Sequence, residues 1–69
     1  MIDVFMFCDL RMTQLSARGV ALGDQILPLV HALHRVPTDS ILELDLGQLT
    51  TDDDADALLT NALRVRAAA

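Results

Sequence analysis

The chain begins with a short apolar segment that is rich in aromatic and β-branched residues. Residues 1–7 read MIDVFMF, and Asp3 is the only polar residue among them. Apolar side chains therefore fall on both faces of an extended backbone, which is typical of a buried strand and more often of a parallel one. We predict a strand at about residues 2–7 with both faces covered.

A helical spacing of apolar residues follows and predicts a helix over about residues 14–35. Gly19 and Gly23 are poor helix formers, and Pro28 removes a helical hydrogen bond. We therefore expect either a kink at Pro28, near Asp24, or two short helices, the second with the proline in its first turn. The apolar stripe consists of Leu15, Leu22, Ile26, Leu29, Val30 and Leu33.

The next segment alternates between two faces and predicts a second strand. The turn residues that follow Pro37 end the helix, and Gly47 is expected to end the strand. The predicted strand spans about residues 41–46. One face carries Leu42, Leu44 and Leu46, and the other carries Ile41, Glu43 and Asp45.

A run of polar residues then signals the start of a last helix, at about residues 52–66. A threonine oxygen, from Thr50 or Thr51, can cap the first turn, and the three aspartates that follow favour the positive end of the helix dipole. Arg64 and Arg66 lie at the opposite end, where positive charge is favourable. The apolar stripe consists of Ala55, Leu58, Leu59, Ala62 and Leu63.

The order strand, helix, strand, helix predicts a single small α/β domain over residues 1–69, with two parallel strands joined by a helical crossover. Such a βαβα unit leaves two open strand edges and one poorly covered face. We therefore expect another chain to complete the sheet, so that the protein acts as an oligomer or with a partner chain. A purely structural subunit that completes another chain's sheet is one alternative.

Composition and charge narrow the classes of function. The chain has 69 residues, of which 52% are hydrophobic, so it can bury a core. Its net charge is −5 and it has five basic residues, all arginine, so we expect no nucleic-acid binding. Charged residues interrupt every apolar run, and the start of the chain carries no positive segment. We expect no membrane partner and a cytoplasmic location.

The candidate metal ligands and nucleophiles form no complete set. Asp52, Asp54 and Asp56 imitate the opening of a calcium loop, but Ala57 and Leu63 occupy the positions of its glycine and its bidentate glutamate. We therefore expect no calcium site.

The histidines and the cysteine likewise form no complete ligand set or redox motif. His31 and His34 have the spacing to share a metal, but no third ligand is evident. Cys8 is the only cysteine, so neither an internal disulfide nor a redox motif is supported. We expect no metal, no cofactor and no catalytic residue.

One short motif offers an alternative function. Asp39-Ser40-Ile41 is similar to the Asp-Ser-Leu motif of acyl carrier proteins, whose serine takes a phosphopantetheine arm. Those carriers are all-helical and their serine opens a helix, whereas residues 41–46 alternate like a strand. An acyl-carrier-like protein modified on Ser40 is therefore kept as an alternative.

Three segments carry a resemblance to a known family. Ser16-Ala17-Arg18 stands at the expected start of a helix, Leu44-Asp45-Leu46-Gly47 ends the second strand, and residues 54–59 read DADALL. Together they resemble the STAS-like domain, a small relative of the sulphate-transporter and anti-sigma-factor-antagonist fold. The resemblance implies a non-catalytic module that regulates through protein contacts.

The resemblance also implies where the contact lies. In antagonist relatives a serine or threonine at the start of the second motif's helix is phosphorylated by a partner kinase. We therefore expect a partner, such as a kinase-like ATPase or regulator, or a second copy, to contact Thr50, Thr51, Asp52, Asp53 and Asp54. Thr50 and Thr51 are the candidate phosphorylation sites, because aspartates stand where the family usually has serines.

Overall fold

Three strands, two α-helices and one turn of 3-10 helix form the chain in the computed structural model, which describes residues 1–68. The predicted α/β class is confirmed in this coarse form. In chain order the elements are β1 (Ile2–Cys8), β2 (Met12–Ala21), the 3-10 turn (Gly23–Ile26), α1 (Leu27–Arg35), β3 (Ile41–Thr51) and α2 (Asp53–Ala68).

The sheet is mixed, with β2 between β1 and β3. β1 and β2 form an antiparallel hairpin, and β2 and β3 pair in parallel with α1 as the connection between them. The prediction that the first strand pairs in parallel with the strand after the helix was wrong. Those two strands lie at opposite edges, because an unforeseen strand stands between them.

That strand is β2, and it replaces the first part of the helix predicted over residues 14–35. Thr13, Leu15, Ala17 and Ala21 alternate along β2 and are all at most 3% exposed, which is the period of a strand. Leu15 fits a helical stripe and a strand face equally well. Its spacing of seven residues from Leu22 was therefore wrongly interpreted as helical. Leu22 is 49% exposed and belongs to no helical stripe.

Of the two-helix alternative, only the second helix is found, with Pro28 in its first turn. A 3-10 turn begins at Gly23, whose φ of +56° breaks the preceding strand, and α1 follows with Pro28 in its first turn. A proline is well tolerated there because the amide that it lacks would have no helical partner. Leu29, Val30 and Leu33 of α1 are buried against the sheet and α2.

β3 is longer than predicted, although its alternation is confirmed. Gly47 does not end the strand, which continues to Thr51. The pairing register between β2 and β3 shifts between Ser16 and Arg18, and β3 carries one extra residue beside Gly47. This β-bulge lets the strand bend and continue instead of ending.

The core lies between one face of the sheet and the two helices. The prediction that both faces of the first strand are covered was wrong, because Phe5 and Phe7 project from the uncovered face and are 50% and 67% exposed. We call this uncovered side the open face. The buried core cluster is Leu15, Ala17, Ala21, Ile26, Leu29, Val30, Leu33, Ala55, Leu59 and Ala62.

Candidate functional site

The turn from β3 into α2 is held by the side chain of Asp52. Its Oδ1 accepts hydrogen bonds from the backbone amides of Ala55 and Gly23, each at 2.9 Å. The first bond caps α2, and the second ties the start of the 3-10 turn to the same carboxylate. A threonine cap was predicted here, and it is wrong because Asp52 directly precedes the first helical residue.

These two amides also change the acidity of Asp52. The backbone N–H groups of Gly23 and Ala55 hold the pKa of this carboxyl below its usual value of 3.8, since both donate to the charged form. Partial burial acts in the opposite direction and is the weaker effect. Asp52 is thus an ionised structural residue, and its Oδ1 already accepts two backbone hydrogen bonds.

The two threonines before it have different surroundings. Thr51 is half-buried, and its hydroxyl donates a hydrogen bond to the carboxylate of Asp56 in α2. Thr50 is exposed and pairs with Val20 in the sheet register. Thr50 therefore offers the more accessible hydroxyl of the two.

Asp53 and Asp54 complete the segment that was predicted as a partner contact. Both are exposed in the first turn of α2. We call Thr50–Asp54 the acidic turn. Its residues are neighbours in sequence, and Asp52 fixes their backbone against the 3-10 turn. The result is a negatively charged turn whose backbone is held by the hydrogen bonds to Asp52.

The segments behind the family resemblance are only partly placed as expected. Leu44-Asp45-Leu46-Gly47 lies within β3 but does not end it, because the strand continues to Thr51. Residues 54–59 lie in α2, as expected. Ser16-Ala17-Arg18, in contrast, lies in β2 and opens no helix. That part of the prediction was wrong, because β2 extends through these residues.

Ser40, the candidate carrier serine, lies before β3 and opens no helix. Its hydroxyl is 2.9 Å from that of Thr13, which is buried. Ser40 thus serves as a polar partner for a buried hydroxyl, a geometry unlike that of a carrier serine.

The other candidate ligands stand apart. Cys8 is exposed, and His31 and His34 are exposed on α1. Over residues 1–68 no three His, Cys, Asp or Glu side chains are grouped so that they could hold a metal ion.

The structure also shows a cluster that sequence reasoning missed. A depression of about 190 Å³ on the open face is lined by Phe5, Ser16, Arg18, Asp45 and Gln48, among others. The guanidinium of Arg18 stacks on the Phe5 ring, 5.3 Å from its centroid. The signal that could have found it is the polar alternation of residues 14, 16 and 18, which was hidden by assigning them to a helix.

No family model matches the sequence, and comparison with curated proteins and with solved structures finds no significant match either. Neither α-helix, as described over residues 1–68, is long and apolar enough to cross a lipid bilayer.

Proposed function

We propose that this protein is a non-catalytic regulatory module of STAS-like type that binds a partner protein through the acidic turn. The observation that carries the proposal is the exposure of Asp53 and Asp54 on a turn whose backbone is fixed by Asp52. A preorganised loop loses little conformational entropy on binding, and surface charge favours a partner of opposite sign. The partner is therefore expected to present arginine or lysine side chains.

Regulation by a kinase-like ATPase fits the same turn. Thr50 is the residue that we propose as the phosphate acceptor, because its hydroxyl is exposed. A phosphate on Thr51 would instead meet the carboxylate of Asp56, which already accepts a hydrogen bond from that hydroxyl. Like-charge repulsion would oppose that modification. Added charge at Thr50 would alter the field that the partner recognises.

The completion of the sheet by another chain is part of the proposal. β1 and β3 each pair with β2 on one side only within the described residues, and the open face exposes apolar side chains. Long unpaired strand edges are surfaces onto which another chain can add a strand.

The partner interaction is tested by affinity capture with two baits that carry the same change in net charge. The first is the double variant Asp53→Arg/Asp54→Arg, which reverses the charge of the acidic turn. The second is Asp39→Arg/Glu43→Arg, which reverses two exposed carboxylates elsewhere. We expect a partner held by the wild type to be lost at least tenfold from the first bait and retained by the second.

Two results would contradict the proposal. One is equal retention of every captured protein by the two double variants, which would remove the acidic turn from recognition. The other is the transfer of a phosphopantetheine arm to Ser40 by a phosphopantetheinyl transferase, seen by mass spectrometry, which would support the carrier alternative.

A further inference from the structure

The hydrogen bonds at the start of the hairpin show which backbone groups of β1 are free. Met1 and Val20 form two backbone hydrogen bonds with each other. The amino group of Met1 donates to the Val20 carbonyl at 3.1 Å, and the Val20 amide donates to the Met1 carbonyl at 3.3 Å. At the other end, the Asp9 amide donates to the Met12 carbonyl. In an antiparallel pair such residues alternate with residues whose backbone groups point away.

Odd-numbered residues of β1 therefore use their backbone groups to pair with β2. The amides and carbonyls of the even-numbered residues point to the free edge: Ile2, Val4, Met6 and Cys8. An antiparallel strand added at this edge must place its own free groups opposite these four. For a second copy of β1, this condition requires that even residues pair with even residues.

One such register pairs all seven residues of β1 with a second copy. Phe5 then lies on the two-fold axis, opposite Phe5 of the second copy, and Val4 lies opposite Met6. Phe5 falls at a non-hydrogen-bonded position, where the Cα atoms of an antiparallel pair are about 4.5 Å apart and side chains are closest. An aromatic pair at such a position stabilises a sheet by roughly 0.2–1 kcal/mol relative to two alanines.

The side chains of β1 suit this pairing on both faces. On the open face Asp3 lies opposite Phe7 of the second copy, so the single charged residue of β1 meets no like charge. Asp3 also retains its salt bridge to Arg18 of its own chain, in which Oδ2 of Asp3 lies 3.9 Å from Nε of Arg18. On the helix face, Val4 and Met6 lie at the same edge, in a groove whose other lining residues are Pro28, His31, Ala32 and Arg35. A strand added at β1 would lie beside these two apolar side chains.

The edge of β3 is unsuited to the same use. An antiparallel pairing of two copies centred on residue 43, 44 or 45 sets a carboxylate of Glu43 or Asp45 opposite a carboxylate of the second copy. Like charges directly opposite are destabilising. The β-bulge beside Gly47 further disturbs this edge, and charges and bulges are devices that protect an edge from pairing. β1 has neither a bulge nor a proline, and its only charge is Asp3.

We propose that two copies of this chain pair through β1 in antiparallel orientation, with Phe5 on the two-fold axis, to form one continuous six-stranded sheet. The inference rests on the proposal that another chain completes the sheet, and it names that chain as a second copy. It leaves the acidic turn free, because that turn joins the end of β3 to α2 and β3 is the opposite edge of the sheet.

Sedimentation equilibrium with one charged variant and one matched control tests this pairing. Phe5→Lys places two ammonium groups against each other on the two-fold axis. Val20→Lys adds the same charge to the same face, at a residue that is 47% exposed and away from the edge. We expect the wild type and Val20→Lys to sediment at twice 7.5 kDa and Phe5→Lys to sediment as a monomer.

A second measurement keeps the test decisive if Phe5→Lys does not fold. Phe5→Cys in a Cys8→Ser background brings two thiols within disulfide range, since Cα atoms 4.5–5.5 Å apart can be bridged. We expect complete oxidation to a covalent dimer, against at least tenfold slower dimerisation of Val20→Cys/Cys8→Ser.

Three results would overturn the pairing: a monomeric wild type at all concentrations, a dimer that survives Phe5→Lys, or equal cross-linking at the two cysteine positions. These readouts do not depend on the acidic turn. A dimeric Asp53→Arg/Asp54→Arg variant that still binds every partner would leave the pairing supported while the regulatory proposal fails.

Discussion

At the scale of single residues, Gly19 shows how a neighbouring strand restricts which residue fits at one position. It lies in β2 with φ of +113°, a conformation that residues with a side chain rarely adopt. A Cβ atom built on it would stand 2.7 Å from the carbonyl oxygen of Met1, across the hairpin. In the sequence this glycine counts against a helix, but only the pairing with β1 explains why it is needed.

We predict that Gly19→Ala destabilises the fold by roughly 1–3 kcal/mol, because the backbone must leave its conformation or the hairpin must open. Urea unfolding followed by circular dichroism measures the change. Gly47→Ala is the matched control, because within residues 1–68 the one atom near its Cβ would be a carboxylate oxygen of Asp45, at 3.7 Å. It should change stability by less than about 0.5 kcal/mol. Equal urea midpoints for Gly19→Ala and Gly47→Ala would show that the hairpin does not need a glycine at position 19.

Asp52 is the second residue whose role is set by the fold. We predict that Asp52→Asn lowers the thermal midpoint at pH 7, since the amide oxygen carries no charge to attract the amides of Gly23 and Ala55. The pKa of Asp52 is lower in the folded protein than in the unfolded chain, so its contribution is complete above pH 3.8 and is lost as pH falls through the folded pKa.

The difference in midpoint between wild type and Asp52→Asn should therefore shrink below pH 3.8. Thermal unfolding at a series of pH values measures it. Asp53→Asn serves as the control, because the Asp53 carboxylate is exposed and accepts no hydrogen bond among residues 1–68, so its loss should matter less at pH 7. A gap between wild type and Asp52→Asn that is constant with pH would contradict the capping role.

At the scale of elements, the C-terminal end of α2 secures the loop between α1 and β3. The guanidinium of Arg66 donates to the carbonyls of Val36 and Pro37, at 3.0 and 2.9 Å, and reaches that of Ser40 at 3.4 Å. The sequence indicated only that positive charge is favourable at this end of the helix. The contact with three carbonyls depends on how α2 packs across the domain.

We predict that Arg66→Lys costs roughly 1 kcal/mol, because a single ammonium cannot bridge carbonyls that the planar guanidinium spans. Hydrogen exchange should rise selectively at residues 36–40, which localises the effect to the loop. Arg64→Lys, at an exposed position of the same helix, is the control and should leave both stability and exchange unchanged. If hydrogen exchange in Arg66→Lys rose equally along the whole chain, or did not rise at residues 36–40, the result would contradict this role.

The sequence predicted α2 and β3 but missed β2. α2 and β3 were placed because their signals are local: an acidic N-terminus for the helix, and strict alternation for the strand. β2 was missed because its pattern of Leu15 among small residues fits two periodicities. Its strand state is decided by pairing with β1, whose partner residues lie 5 to 17 positions away in the chain, from Cys8↔Thr13 to Ile2↔Gly19, and propensity does not register such pairing.

At the scale of the whole molecule, the central position of β2 leaves β1 and β3 as the two edges of the sheet. The proposed pairing through β1 makes stability depend on concentration, since association favours the folded state by mass action. The sedimentation experiment above, repeated with thermal unfolding at each concentration, would show the midpoint of the wild type rising while that of Phe5→Lys stays constant.

The candidate site is split in the same way between local and distant causes. The acidic turn could be identified from the sequence, because its residues are consecutive and carry their charge wherever they fold. That Asp52, rather than a threonine, caps α2 could not be predicted, since the second amide that it binds belongs to Gly23, 29 residues earlier in the chain. The cluster of Arg18 with Phe5 and Asp45 likewise joins three strands.

The sequence by itself determined the α/β class, the alternation of β3 and the charged start of α2, and it offered a helix with Pro28 in its first turn as one of two alternatives. These features follow from periodicity and capping within a few residues of chain. Only the tertiary structure decided that residues 12–21 form the central strand and that β1 runs antiparallel at an edge. Pairing between strands joins segments that are separated in the sequence. The conformation of a short segment therefore depends on which partner strand the folded chain places beside it.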